Sequence, residues 1–180
     1  MFDDGFWVFG YGSLVWQPGF DYSVRQIARL DGFARSFCMR SIHHRGTEND
    51  PGLVLALDRD GGAFCDGVGF FVEPDGAVAT IEYLRERELI SSAYLEQVHQ
   101  VSLRTGEKVE AVCYVIDEDH VQYCGGLPLG EQAEIISQAV GGRGPNTEYL
   151  YNTAEHLRDL GIEDHDLNWL EARVRALSGG

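Results

Sequence analysis

A chain of 180 residues is long enough to bury a sizeable core and suits one domain rather than two. Its formal charge of −15 disfavours a nucleic-acid backbone or an anionic membrane as partner, because both call for a basic surface, and leaves solubility as the plain meaning of the acidity. No apolar run approaches membrane-spanning length, Met1-Phe2-Asp3-Asp4 lacks a basic signal region, and Cys38, Cys65, Cys113 and Cys124 show no C-x-x-C spacing, so thiols in a reducing cytoplasm are expected.

The first element is also the most informative. In Trp7-Val8-Phe9-Gly10-Tyr11-Gly12-Ser13-Leu14-Val15-Trp16, the run Phe6 to Phe9 predicts a buried strand, since aromatic and β-branched residues favour extended backbone. Gly10 and Gly12 at its end let backbone N–H groups approach a ligand, and Ser13 adds a hydroxyl. A fan of donors of this kind suits a carboxylate or an oxyanion. At Gly12 a Cβ would block close approach or exclude a positive φ. The spacing is not a dinucleotide fingerprint, whose third glycine would fall at Val15, nor a P-loop, which needs a following Gly-Lys-Ser/Thr. A tight turn between two core strands is the alternative.

Strands are then predicted at Val24 to Ile27, Phe33 to Ser41, Leu53 to Leu57 and Phe64 to Val72, with a polar loop from Ile42 to Gly52 and a turn at Asp60-Gly61-Gly62. Pro74-Asp75-Gly76 signals a turn before a helix from Ala77 to about Ile90. Leu95 to Leu103 and Val109 to Ile116 flank Thr105-Gly106 as a hairpin. Helices follow at Gly130 to Val140, Thr147 to Leu160 and Asp166 to Leu177, with Asn146 as N-cap of the second, Asp164 or Asp166 as N-cap of the third, and Gly161 closing the second. Gly141-Gly142-Arg143-Gly144-Pro145 reads as a connector. Strands first and helices afterwards predict an α+β fold, a curved mixed sheet or small barrel with helices packed outside.

One carboxylate lies on the wrong face of its helix. Taking Ala77 as zero and 100° per residue, Ile81 falls at about 40°, Leu84 at about 340° and Glu88 at about 20°, while Glu86 falls at about 180°. Glu88 therefore sits within the apolar stripe, where an unpaired carboxylate is costly. Either the helix ends before it or an arginine neutralises it, or it is a general base whose pKa desolvation raises. His43-His44-Arg45-Gly46 has no third ligand at metal spacing, and His99, His120, His156 and His165 are scattered, so no metal is expected. No G-x-S-x-G elbow or cysteine nucleophile motif is present either.

Taken together, the ordered blocks Val8 to Trp16, Ser41-Ile42-His43-His44-Arg45-Gly46, Pro51-Gly52-Leu53-Val54-Leu55, Tyr83-Leu84-Arg85-Glu86-Arg87-Glu88 and Asn146-Thr147-Glu148-Tyr149-Leu150 resemble the ChaC family of γ-glutamylcyclotransferases, which act on glutathione. The resemblance spans about Trp7 to Leu177 and implies a small mixed β-barrel with surrounding helices, one γ-glutamylcyclotransferase-like domain over residues 1–180. It implies that the opening loop, Val8, Phe9, Gly10, Tyr11, Gly12, Ser13 and Leu14, holds the γ-glutamyl group. It also implies that Glu88, after the arginine of Y-L-x-x-R-E, is the catalytic acid/base. Ser41, Arg45 and Tyr149 come from matched blocks as further substrate-binding candidates. One departure is visible: some members carry arginine where this chain has Leu53.

The implied reaction uses the substrate's own α-amino group to attack its γ-carbonyl, giving 5-oxoproline and, from glutathione, cysteinylglycine. An intramolecular nucleophile needs no cofactor, metal or covalent intermediate, so none is expected. A cyclotransferase for other γ-glutamyl amino acids or amines shares loop and base. A non-catalytic regulatory binding module on the same barrel would gain stability from leucine at position 88.

Overall fold

The computed structural model describes residues 2–90 and 92–179. Strand β1 (Phe6–Gly10) is almost wholly buried, as a run without a polar face must be. It lies antiparallel to β3 (Gly52–Val72), with Val8 opposite Phe70, and parallel to β5 (Lys108–Ile116), with Val8 opposite Val112. With β2 (Val24–Ser41) and β4 (Tyr94–Leu103) they close a mixed barrel in the order β1-β3-β2-β4-β5. The α+β barrel expected from the sequence is therefore present. Among the described residues no helix is long and apolar enough to cross a membrane.

Packing divides the chain into two units. The first comprises Met1–Arg35 and Ala56–His120. Its core is built from Val8, Phe9, Leu30, Leu57, Phe70, Val101 and Val112, together with Ala77, Ile81 and Leu84 of helix α2 (Pro74–Glu88). The second comprises Ser36–Leu55 and Val121–Gly180. There α3 (Leu129–Gln138), α4 (Asn146–Asp159) and α5 (His165–Leu177) pack on one another through Ile136, Leu150, Leu157, Leu170 and Val174.

Four expectations need correction. The apolar stretch after Gly12 is not a second strand but one helical turn, α1 (Ser13–Trp16). The break expected between Ile27 and Phe33 is absorbed inside β2, where Gly32 takes a left-handed φ of +86° that a side chain would resist. Asp60-Gly61-Gly62 does not turn: β3 runs through it, with β2 as its neighbour in the barrel. Arg29 of β2 grips Asp66 with two hydrogen bonds, 2.7 and 3.0 Å, and its guanidinium lies 3.8 Å from the Phe64 ring. The connector 141–145 holds a small ladder, β6 (Val140–Gly141) with β7 (Gly144–Pro145).

Asn146 is the fourth correction and the most instructive. It is not a cap but the first residue of α4, after Pro145, and it is fully buried. Its amide spans the backbone of Leu53, accepting from the N–H at 2.8 Å and donating to the carbonyl at 2.8 Å. Leu53 itself is a core residue, 0% exposed. By contrast Asp164 caps α5 through the Leu167 N–H, Gly161 takes φ +77° after α4, and the Thr105-Gly106 hairpin joins β4 to β5 as expected.

Asn146→Ala would strand the Leu53 N–H and carbonyl in the interior. Unpaired buried polar groups of this kind should lower unfolding stability on the order of 3 kcal/mol. Urea denaturation of the variant checks this, and a loss within error of zero would show that the amide is dispensable.

Candidate active site

The end of α2 carries the carboxylate singled out from the sequence. Pro74 opens the helix at a position where a missing N–H costs nothing, so the helix begins three residues earlier than expected. Ala77, Thr80, Ile81 and Leu84 form its buried stripe and Glu86 faces solvent, as the helical period requires. Glu88 is the last helical residue, and its side chain is only 13% exposed. The helix does not end before it; the carboxylate is sheltered, and Arg87 Nε stands 3.4 Å from its Oε1 as a neutralising arginine would.

Arg87 ties this helix end to the glycine loop. Its Nη2 donates to Ser13 Oγ at 3.0 Å, and Nη1 donates to the Gln17 and Pro18 carbonyls at 2.6 and 3.0 Å and to the Tyr83 hydroxyl at 3.1 Å. The loop is held on another side by Arg35, whose Nε donates to the Tyr11 carbonyl at 2.7 Å and whose Nη2 donates to the Asp66 carbonyl. The Tyr11 hydroxyl in turn donates to the Tyr114 carbonyl at 2.9 Å. Glu88 and the loop are thus brought together within the first unit.

Within the loop the candidates divide. Val8 and Phe9 are fully buried, and their backbone lies in the barrel ladder. Gly10 is packed so closely that a Cβ would stand 3.1 Å from both Leu14 Cβ and Phe70 Cε2. Gly12 has φ −136°, so the positive φ considered from the sequence is not what selects glycine there. The first turn of α1 has no side-chain cap, and helix N-termini leave their first N–H groups without intrahelical partners. At α1 such groups are the N–H of Gly12, Ser13 and Leu14.

Beside Glu88, on β5, lies a residue that sequence reasoning missed. Tyr114 is buried and donates its hydroxyl to Glu96 Oε1 at 2.9 Å. Burial foremost, then that Glu96 contact and the charge of Glu88, hold its phenol well above the ordinary range, so it stays protonated as a donor. Glu96 in turn is gripped by Arg85 Nη2 at 2.9 Å and Nε at 3.1 Å. Tyr83 and Arg87 at i, i+4 were readable as a pair on one helix face. Nothing local marked Tyr114 or Arg35, which reach the site through barrel closure.

Ser41, Arg45 and Tyr149 come together in the second unit. Ser41 Oγ accepts from the Arg45 N–H at 2.9 Å, and Arg45 Nη1 donates to the Pro145 carbonyl at 3.0 Å. The Tyr149 hydroxyl accepts from the Leu55 N–H at 3.1 Å, and its ring meets Phe37 edge-on at 6.0 Å. These bonds fix the 42–51 loop and the start of α4. The His43 and His44 carbonyls accept from the Gly142 and Arg143 N–H groups, which pins the same loop to the 141–145 ladder. Among the described residues no group of three or more His, Cys, Asp or Glu is arranged to hold a metal. Burial pushes the Cys113 thiol up to about 12, which makes it a poor nucleophile.

A family model described as ChaC-like protein matches residues 6–177. The glutathione-specific gamma-glutamylcyclotransferase of Escherichia coli (strain K12) is 34% identical over 171 residues, covering 95% of this chain and 73% of that protein. The protein of the same description from Schizosaccharomyces pombe is 36% identical over 190 residues, covering 94% of this chain and 92% of its own length. Among solved structures, a glutathione-specific γ-glutamyl cyclotransferase from yeast superposes with a TM-score of 0.86 at 26% identity, covering 96% of each chain. A further gamma-glutamyl cyclotransferase, TM-score 0.60 at 15% identity over 94% of this chain and 88% of that one, shares the fold.

The Arg85 hydrogen bonds foremost, and the Tyr114 bond, hold the Glu96 carboxyl below the usual glutamate range. A depressed folded pKa contributes stability above the unfolded value and loses it as pH falls through the folded one. The stability advantage of the native chain over Glu96→Gln should therefore shrink from about pH 4.5 downward. Urea titrations of both proteins across that range check it; parallel pH profiles would remove the pair from the acid response.

Proposed function

The chain belongs to the ChaC-like protein family, and on that premise we propose that it is a glutathione-specific γ-glutamylcyclotransferase with Glu88 as general acid/base. The observation that carries this reading is the sheltered Glu88 carboxylate, tied by Arg87 to the glycine loop at Ser13. A cytoplasmic location fits the substrate and the thiol state of all four cysteines. The continuous family match over residues 6–177 supports one catalytic domain over residues 1–180.

On this reading the α-nitrogen attacks the γ-carbonyl carbon, forming a C–N bond and a tetrahedral oxyanion. The bond from that carbon to the cysteinyl nitrogen then breaks. Starting from an α-ammonium, two protons leave the attacking nitrogen and two reach the departing one, so the products are 5-oxoproline and cysteinylglycine as an ammonium, with no water consumed. Glu88 accepts and returns these protons in turn. Ring closure draws on the effective molarity of a tethered nucleophile, so the base and the fixed donors are the apparatus that the protein must supply.

The N–H groups of Gly12, Ser13 and Leu14 hold the γ-glutamyl end. Val8 and Phe9 act through the strand that places them. Gly10 and Tyr11 complete the turn, Gly10 by its close packing and Tyr11 by its two anchored oxygens. Ser41, Arg45 and Tyr149 serve in this account by fixing the backbone around them.

Purified protein mixed with glutathione should release 5-oxoproline and cysteinylglycine in equal amounts. Glu88→Gln should retain the fold and lose activity by about 10²–10⁴-fold, while Glu86→Gln on the solvent face stays near native. Equal losses in both, or a Glu88→Gln enzyme that still turns over, would refute the assignment.

Gly12→Val tests the loop, because a branched side chain would stand over the donors that the substrate carboxylate or oxyanion needs. The rate per folded molecule should fall by about 10²-fold or more, the scale of one lost oxyanion donor. Melting temperature and rate are to be measured on one preparation. A rate that merely tracks the folded fraction would make the loop a scaffold.

A further inference from the structure

Helix α1 is four residues long, far too short to hold its own geometry, since a helical nucleus fixes several dihedrals for very few hydrogen bonds. Yet its first turn is the stretch of backbone whose donors the proposed reaction requires. Something outside the helix must fix it. Arg87 grips it at both ends, through the Ser13 hydroxyl at the start and the carbonyl of Gln17, the C-cap, at the finish. The same guanidinium touches Glu88 through Nε. Its side chain is only 10% exposed, and its bond to Ser13 is partly buried, so water competes less for it than at an open surface.

We propose that Arg87 is a positioning residue that couples the two halves of the site, fixing the donors of α1 against Glu88 and keeping the Glu88 carboxylate ionised to accept the first proton. The inference rests on the assignment of Glu88 as the base. Lysine cannot replace the guanidinium here. The acceptors at Ser13, Gln17, Pro18 and Tyr83 are distributed over two nitrogens of a rigid fork, which a single ammonium cannot span. Arg35 differs in its place on the loop: its acceptors include the Tyr11 and Asp66 carbonyls. Because the Tyr11–Gly12 peptide is trans, that bond turns the Gly12 N–H the opposite way. Arg35 thus sets a donor direction, whereas Arg87 sets both the donors and the base.

The charged and titratable groups around Glu88 include Arg87 on its own helix, which also binds the Tyr83 hydroxyl, and on the barrel side Tyr114 of β5, which is bonded to Glu96 of β4 and through it to Arg85. A cation beside a carboxylate lowers its pKa, so removing the cation must raise it. The test uses the full chain with Arg87→Met, Arg87→Lys and Glu88→Gln. With glutamate labelled at the carboxyl carbon, NMR follows the Glu88 signal against pH, and the Glu88→Gln spectrum identifies which signal it is. Arg87→Met should move the Glu88 midpoint up by about one unit or more. Arg87→Lys, which keeps the charge, should move it less but raise the KM for glutathione about tenfold, the scale of one lost charge-assisted hydrogen bond.

A midpoint that stays or falls in a folded Arg87→Met protein overturns the proposal, as does a native KM in Arg87→Lys. If Arg87→Met does not fold, the Arg87→Lys KM decides alone. Activity surviving in Glu88→Gln would sink the parent assignment of the base, and the two failures are distinguishable because the midpoint is read without turnover.

Discussion

A guanidinium withdrawn from water must place its donors on acceptors, and the arrangement of this site follows from how Arg87 does so. Its partners come from α1 and the residues just beyond it, from Tyr83 one helical turn back, and from Glu88 beside it. Leaving such a group unpaired in the interior costs far more than the pairing contributes, so the contacts act as constraints rather than as a sum of small gains. The helix end cannot shift without breaking bonds to the loop, and the loop cannot shift without exposing the cation. A second chain of bonds lies near enough for the Glu88 charge to act on it: Tyr114 is fixed by Glu96, itself fixed by Arg85.

The second unit obeys the same rule with neutral groups and one buried cation. Where α4 meets β3, backbone N–H and carbonyl groups of Leu53 and Leu55 fall in the interior, and the Asn146 amide and the Tyr149 hydroxyl meet them. Arg45, 5% exposed, finds the Pro145 carbonyl at 3.0 Å and the Glu148 carboxylate at 3.6 Å. These residues stand within the ordered blocks that suggested the family. Their observed bonds give a structural reason for a block to be distinctive: satisfying buried backbone demands a specific side chain as strictly as chemistry does.

What was legible in the sequence was whatever depends on local period and local turn chemistry. The buried stripe of α2, the solvent-facing Glu86, the Asp164 cap, Gly161 and the β4–β5 hairpin all follow from residues close in the chain. What was not legible depends on partners distant in the chain. Asp60-Gly61-Gly62 carries every local sign of a turn, yet it lies within β3, whose neighbour in the barrel is β2. Asn146 has the composition of a cap, but its amide is taken by Leu53, 93 residues away. Arg87 stands in the Y-L-x-x-R-E block, but its bonds to Ser13, Gln17 and Pro18 span about 70 residues of chain and have no local signal. The carboxylate itself was found because its place conflicted with the helix pattern, which is where functional groups tend to reveal themselves.

One carboxylate can serve the whole proposed reaction because of where its two protons travel. In the tetrahedral intermediate the attacking and departing nitrogens are bonded to the same carbon. A base within hydrogen-bond reach of one is therefore within reach of the other after a small rotation, and no second acid need be placed across the substrate. The demand on the protein shifts from the number of catalytic groups to the fixity of one. Glu88 at the frayed last residue of a helix would meet that demand poorly by itself. Arg87, 3.4 Å away, restrains it, and on the proposed reading the same Arg87 holds the donors that face the oxyanion or carboxylate. On that reading, proton acceptor and anion holder then share Arg87 as a common partner, so their separation is set by the fold before any substrate arrives.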